Sequence, residues 1–154
     1  MLPDIPGEKV EDRNMLEQLR ERAAELLHKM SNSHRFPGAQ PVSFSKIHIK
    51  SLTEDNYFVS EKADGIRVMI FTHCDMASNV RQTFLVDRKN DYYYLNCGFP
   101  MPENRGYHTD TLMDGELVIE SGKRTYLLLF DLMVIDGTNI CSKGYSSRLG
   151  VLIC

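Results

Sequence analysis

The sequence predicts an α+β domain in which one helix precedes an antiparallel sheet. Three observations predict it. Apolar residues recur at three- and four-residue steps in the stretch before Met30, short runs rich in β-branched and aromatic residues follow Tyr57, and turn dipeptides separate those runs.

The helix comes first. From Leu16 the apolar residues Leu19, Ala23, Leu26, Leu27 and Met30 alternate with Glu17, Arg20, Glu21, Arg22 and Glu25, the pattern of one amphipathic helix expected over Val10 to Met30. "SNSHRFPGAQPVS" then breaks helical tendency with Ser, Asn, Pro and Gly and reads as a connector. The expected strands are "YFVSEK", "RVMIFTH", "TFLVD", "YYYL", "LMDGELVIE" and "TYLLLFDLMVI". Turns are expected at Asp64-Gly65, Asn90-Asp91, Ser121-Gly122 and Asp136-Gly137, and runs joined this closely pair as antiparallel hairpins. The last run is nearly continuous in apolar residues and should be mostly buried.

With 154 residues, 42% hydrophobic and 25% charged, the chain has the composition of one ordinary globular domain. Its net charge of -3 means that any nucleic-acid contact has to come from a local basic patch. Cys74, Cys97, Cys141 and Cys154 include no C-x-x-C pair, which indicates neither a zinc site nor a disulfide framework and fits a reducing compartment. The charged N-terminus is unlike a signal peptide, and the apolar run from Tyr126 is interrupted by Asp131 and too short to span a bilayer; a soluble, intracellular protein with no membrane partner is expected.

Four segments carry possible chemistry. In "EKADGIR", Glu61 to Arg67, a turn would bring Lys62 and Arg67 to either side of one loop and onto one anion. A lysine with an ordinary pKa near ~10.4 is protonated at neutral pH, so a nucleophilic Lys62 needs burial or a neighbouring cation such as Arg67 to favour the neutral amine. Taken alone, the heptapeptide reads equally well as a surface hairpin with charged ends. In "TFLVDRKNDYYYLN", Arg88 stands at a strand end as Arg67 does, and an exposed edge hairpin is the simpler account of that segment in isolation. In "DGELVIE", Glu116, Val118 and Glu120 share one strand face; a cleft-facing Glu116 would accept from sugar hydroxyls or hold a hydrated metal, whereas periodicity by itself favours solvent exposure. In "YLLLFDLMVIDG", Phe130 and Asp131 are the candidates for a role beyond packing.

Together these segments resemble the GTP:RNA guanylyltransferases, or mRNA capping enzymes, of the covalent nucleotidyltransferase superfamily that also contains DNA and RNA ligases. "KADGIR" is similar to the K-x-D-G-x-R signature, "FLVDRKNDYYY" to the arginine-bearing hairpin, "DGELV" to the acidic element, and "YLLLFDLMVIDG" to the strand that follows; "FPGAQPVSF" resembles the segment ahead of the lysine in cellular capping enzymes. The resemblance implies an antiparallel-sheet, ATP-grasp-like nucleotidyltransferase domain over residues 36–154, behind a helix and connector over residues 1–35. It implies that Lys62 takes GMP from GTP as a lysyl phosphoramidate and passes it to the 5′-diphosphate end of nascent RNA. Arg67 and Arg88 would hold ribose and phosphates, Asp114, Gly115 and Glu116 the sugar or a metal, and Phe130 the guanine, with Mg²⁺ or Mn²⁺ as cofactor.

It further implies a nuclear protein of mRNA processing, with the RNA polymerase II tail as a possible partner. The family's later lysine-bearing elements and closing OB-type domain have no counterpart, and the chain ends at Cys154 where a following helix is expected to begin; a partial, catalytically impaired enzyme is expected. An ATP-dependent ligase fragment and a non-catalytic RNA- or polymerase-binding remnant are the alternatives.

Overall fold

The computed structural model describes residues 4–29, 33–75, 78–119 and 124–153. Seven strands make a single antiparallel sheet: β1 (Glu8–Lys9), β2 (Ile66–Asp75), β3 (Val80–Val86), β4 (Tyr92–Leu95), β5 (Thr111–Ile119), β6 (Thr125–Ile135) and β7 (Thr138–Asn139). Among the described residues three α-helices accompany it: α1 (Arg13–Leu26), the short α2 (Ile49–Glu54) and α3 (Tyr145–Ile153). The strand order is β1-β4-β3-β2-β5-β6-β7. After β4 the chain crosses over residues 96–110 and returns on the far side of β2, so β2 is paired along both edges, to β3 and to β5.

Local chemistry sets the element ends. Asp12 caps α1 by accepting from the Met15 amide at 2.8 Å, and the helix stops where Leu27 ends it and His28 turns left-handed (φ 56°). The helix is therefore shorter than the expected Val10–Met30. Val10 instead donates its amide to the Tyr92 carbonyl at 2.9 Å beside β4, and Met30 lies outside the described residues. Asp136 and Gly137, at φ 46° and 76°, form the tight turn that returns β6 as β7. At the β3–β4 turn Asp87 accepts from the Lys89 and Asp91 amides, and Asn90 adopts φ 65°. Ser121-Gly122, Glu120 and Cys154 lie outside the described residues.

Cross-strand partners point to the same side, so register defines two faces. Met69, Phe71, Phe84, Val86, Tyr92 and Leu112 form one, buried beneath Leu19, Ala23, Leu26 and Leu27 of α1 and Phe36 of the connector. Val68, Ile70, Leu85, Met113, Leu117 and Leu132 form the other, covered by Ile140, Phe99 and Leu152 of α3.

Four expectations are corrected. "YFVSEK" is not a strand: Tyr57 to Asp64 run exposed and irregular, because both edges of β2 are already taken and no ladder is left to receive them. The "RVMIFTH" strand therefore pairs with β3 and β5, and Asp64-Gly65 joins no hairpin. The apolar run of β6 is buried only from Leu132 to Val134; Tyr126, Leu128 and Phe130 stand 40%, 46% and 36% exposed, since the end of the α1-side face beyond Asp114 is uncovered. A helix following the sheet begins already at Tyr145, ahead of Cys154.

Candidate active site

The uncovered end of the α1-side face is a cleft of about 680 Å³. Lys62, Arg67, Arg88, Glu116 and Phe130 all line it, with Gln40 and Pro41 of the connector opposite. The register places Arg67 directly across from Glu116, and Asp114 one pair further along the same face. Arg88 sits exposed on the rigid β3–β4 turn, with no hydrogen-bond or ionic partner among the described residues.

Glycine at position 65 is a matter of space. A Cβ there would lie 2.0 Å from the Leu117 carbonyl oxygen, so only glycine allows the chain to pass this close to β5. The Gly65 amide also donates to Glu116 Oε1 at 2.7 Å, which ties the lysine loop to the acidic strand.

The carboxylates divide. Asp114, 3% exposed, receives Arg67 Nε at 3.0 Å and Nη2 at 2.5 Å, a bidentate pair that leaves it behind the cleft wall. Gly115 also stays out of the cleft, packed against the β6 backbone with the Leu128 carbonyl 2.8 Å from where a Cβ would stand. Glu116 remains half-buried and borders the cavity. Phe130 is the residue skipped where β6 shifts register against β5, between Asp114↔Asp131 and Gly115↔Leu129, and this irregularity leaves its ring in the cleft. Asp131 instead pairs with Arg148 of α3 at 2.8 and 2.9 Å.

Lys62 does not have the environment expected of it. Its Nζ donates to Asp64 Oδ1 at 2.5 Å, and both side chains are more than four-fifths exposed. The Asp64 hydrogen bond, then the Asp64 charge, holds the ammonium above the ordinary lysine range, and Glu116 acts in the same direction. Arg67 does not counter this, because its guanidinium is spent on Asp114 and on the Ala39 carbonyl, reached by Nη1 at 2.6 Å.

Sequence reasoning missed three contributors. Asp64 is the counter-ion of Lys62. Phe36 lies beneath the Arg67 guanidinium, 5.4 Å from ring centroid to Cζ. The Ala39 carbonyl anchors residues 36–40 as a strap along the cleft. "FPGAQPVSF" was the signal available for the last two, but nothing in its spacing shows that it meets an arginine 28 residues away.

A family model described as mRNA capping enzyme, catalytic domain, matches residues 3–153. The chain belongs to that family. It is 39% identical over 156 residues to the mRNA-capping enzyme subunit alpha of Schizosaccharomyces pombe, covering 96% of this chain and 38% of that protein. To the subunit of the same name from Neurospora crassa it is 38% identical, covering 94% of this chain and 38% of the relative. The mRNA-capping enzyme of Caenorhabditis elegans is 29% identical over 129 residues. The chain thus spans about two-fifths of the fungal capping enzyme subunits it matches, and the cleft described here lies wholly within the matched family domain.

Proposed function

We propose that this chain carries the nucleotide-attaching portion of a GTP:RNA guanylyltransferase, with Lys62 as the nucleophile. The observation that carries the reading is the convergence of an exposed lysine, two arginines, a carboxylate and an aromatic ring on one cleft, from elements spread over residues 62 to 130. That set suits a nucleoside triphosphate: cations for phosphate, a carboxylate for ribose hydroxyls, and a ring to stack on guanine. Strands β2 to β7 are read as the core of an ATP-grasp-like nucleotidyltransferase domain over residues 36–154, with β1 added at the sheet edge and α1 as an amphipathic helix that covers one face.

The Lys62 ammonium first gives up a proton to solvent, which requires its contact with Asp64, the group that holds it protonated, to open. Nζ then attacks the α-phosphorus; a P–N bond forms, the bond to the bridging oxygen breaks, and pyrophosphate leaves with the electron pair. A terminal oxygen of the RNA 5′-diphosphate next attacks the same phosphorus, the P–N bond breaks, and the lysine nitrogen regains a proton. Arg88, with its donors free among the described residues, is the arginine best placed to follow the phosphates, while Arg67 fixes the wall they rest on.

Among the described residues no three His, Cys, Asp or Glu side chains stand together as a ready metal cage. Glu116 offers a single carboxylate at the cavity, a donor set that fits Mg²⁺ or Mn²⁺ carried largely on nucleotide oxygens and water. When bound, such an ion would neutralise charge on the phosphates. Nascent RNA is the proposed acceptor, the nucleus the proposed location, and the RNA polymerase II tail a proposed partner; none of the described helices is long and apolar enough to cross a membrane.

Incubation with α-labelled GTP and, separately, ATP tests the reading. A GMP adduct, acid-labile and absent in Lys62→Arg, is expected at a low level from this chain. An adduct that survives Lys62→Arg, or forms from ATP in preference to GTP, would overturn it.

A further inference from the structure

A second cavity, of about 290 Å³, lies on the other side of the strap. It shares Ala39 and Gln40 with the cleft, so the strap is a common wall between the two. Arg20, Lys29 and Arg35 line it, and no acidic side chain does so among the described residues. In a chain of net charge -3, this is a concentrated basic patch. The three cations differ in freedom. Arg20 is held by the Asn90 carbonyl at 2.8 and 3.0 Å, and Asp91 lies 3.7 Å from it. Lys29 donates once, to the Pro37 carbonyl at 3.1 Å, and keeps two N–H groups. Arg35 is exposed and has no partner among the described residues.

A second feature points to a ligand. Asn90 and Tyr92 form part of the same wall, 1% and 0% exposed, and both Asn90 Oδ1 and the Tyr92 hydroxyl lack a hydrogen-bond partner among the described residues. A buried polar atom left without a partner is costly, and such groups point to a site that is completed by something else. Asn90 Oδ1, an amide oxygen, asks for a donor next to the cations, while the Tyr92 hydroxyl can donate or accept. Phosphate alone could accept from Tyr92 but supplies no donor for Asn90, because ionised phosphate oxygens only accept. A nucleotide unit supplies both: base amino groups or ribose hydroxyls for the orphaned atoms, and phosphodiester charge for the cationic rim.

We propose that this cavity is a docking site for a nucleotide of the acceptor RNA near its 5′ end, separated from the guanylylation cleft by the strap. The inference rests on the guanylyltransferase reading for the name of its substrate. Arg88 borders the cleft and Asn90, two residues on in the same turn, borders the second cavity, so one turn and one strap line both stations of a single anionic strand. The site would hold the RNA by its second or later nucleotides while its terminal diphosphate reaches over Gln40 toward Lys62.

Fluorescence polarisation of a short 3′-labelled RNA bearing a 5′-diphosphate, titrated with the 154-residue chain over a salt series, tests this. Arg35→Ala should weaken RNA binding about 3- to 10-fold and lower the salt slope by about 0.7, the release expected for one single-strand phosphate contact. Arg35→Lys should restore the slope. Tyr92→Phe deletes an unpaired hydroxyl, so it should melt at the wild-type temperature or above and yet bind RNA several-fold more weakly. None of these changes should alter the affinity for a fluorescent GTP analogue. Unchanged RNA affinity in both Arg35→Ala and Tyr92→Phe, or no RNA binding by the wild type, would overturn the proposal. So would a phosphoserine peptide or inorganic phosphate that binds as tightly as the RNA and responds to the same variants. Loss of GTP binding with RNA binding intact would sink the guanylyltransferase reading alone.

Discussion

Arg67→Lys separates holding the fold from holding the nucleotide. Arg67 is only 20% exposed, and its guanidinium makes two hydrogen bonds to Asp114 and one to the Ala39 carbonyl while covering the Phe36 ring. Lysine keeps the charge, so Asp114 is not left as an unpaired buried carboxylate, but an ammonium cannot serve both carboxylate oxygens and Ala39 at once. Two of three bonds are lost at about 1 kcal/mol each, the value of an ordinary hydrogen bond and below that for charged partners because the site is partly open, and the contact with Phe36 adds about 0.5 kcal/mol. The sum is about 2.5 kcal/mol. For a domain of this size about 2–4 °C of melting temperature accompanies each kcal/mol, so Arg67→Lys should melt about 5–10 °C below wild type by circular dichroism. Arg88→Lys, at a position exposed and without a partner among the described residues, should melt within about 1–2 °C of wild type. If the two variants melted together, Arg67 would not be the clamp that fixes the strap, and its role would lie wholly in the ligand.

Two further outcomes follow from the charge network. Asp64→Asn removes the partner that holds the Lys62 ammonium above the ordinary lysine range, so acylation of Lys62 by acetic anhydride, followed by mass spectrometry against pH, should show its ionisation moving down toward that range; an unchanged profile would mean that Asp64 does not control the amine. Burial pulls the Asp110 carboxyl upward, but hydrogen bonds from His73 and Arg22 outweigh it and hold the group below its ordinary value. A depressed carboxylate stabilises the fold above the unfolded-state pKa of about 4 and loses that contribution as pH falls through the lower folded value. Urea midpoints should therefore fall in wild type over that acid window, whereas Asp110→Asn should start about 1–2 kcal/mol lower at neutral pH and decline less there.

Much of this was legible in the chain. Alternation and β-branched content located β2 to β6 because a half-buried strand imposes a period of two on its own residues, and turn residues with positive φ marked Asn90 and Asp136-Gly137. The same local logic failed at "YFVSEK", which has the composition of a strand; whether a segment pairs depends on a free edge, and β5 had taken the one it would have used. β1 and β7, of two residues each, are too short to impose any period and were not anticipated.

By itself, the sequence determined the α+β class, the candidate nucleophile, and the set of charged and aromatic residues from which a phosphate site can be built, because residue type and short spacing are properties of adjacent atoms along the chain. The tertiary structure alone decided how those charges are shared. It returned β5 alongside β2, so that Arg67 meets Asp114 across 47 residues and Glu116 receives the Gly65 amide across 51. It laid residues 36–40 over Arg67, and it left Arg88 without a partner among the described residues. Guanidinium and carboxylate groups pair with whatever the register brings within about 3 Å, and register across a sheet depends on the packing of the whole apolar face and not on the residues flanking each charge.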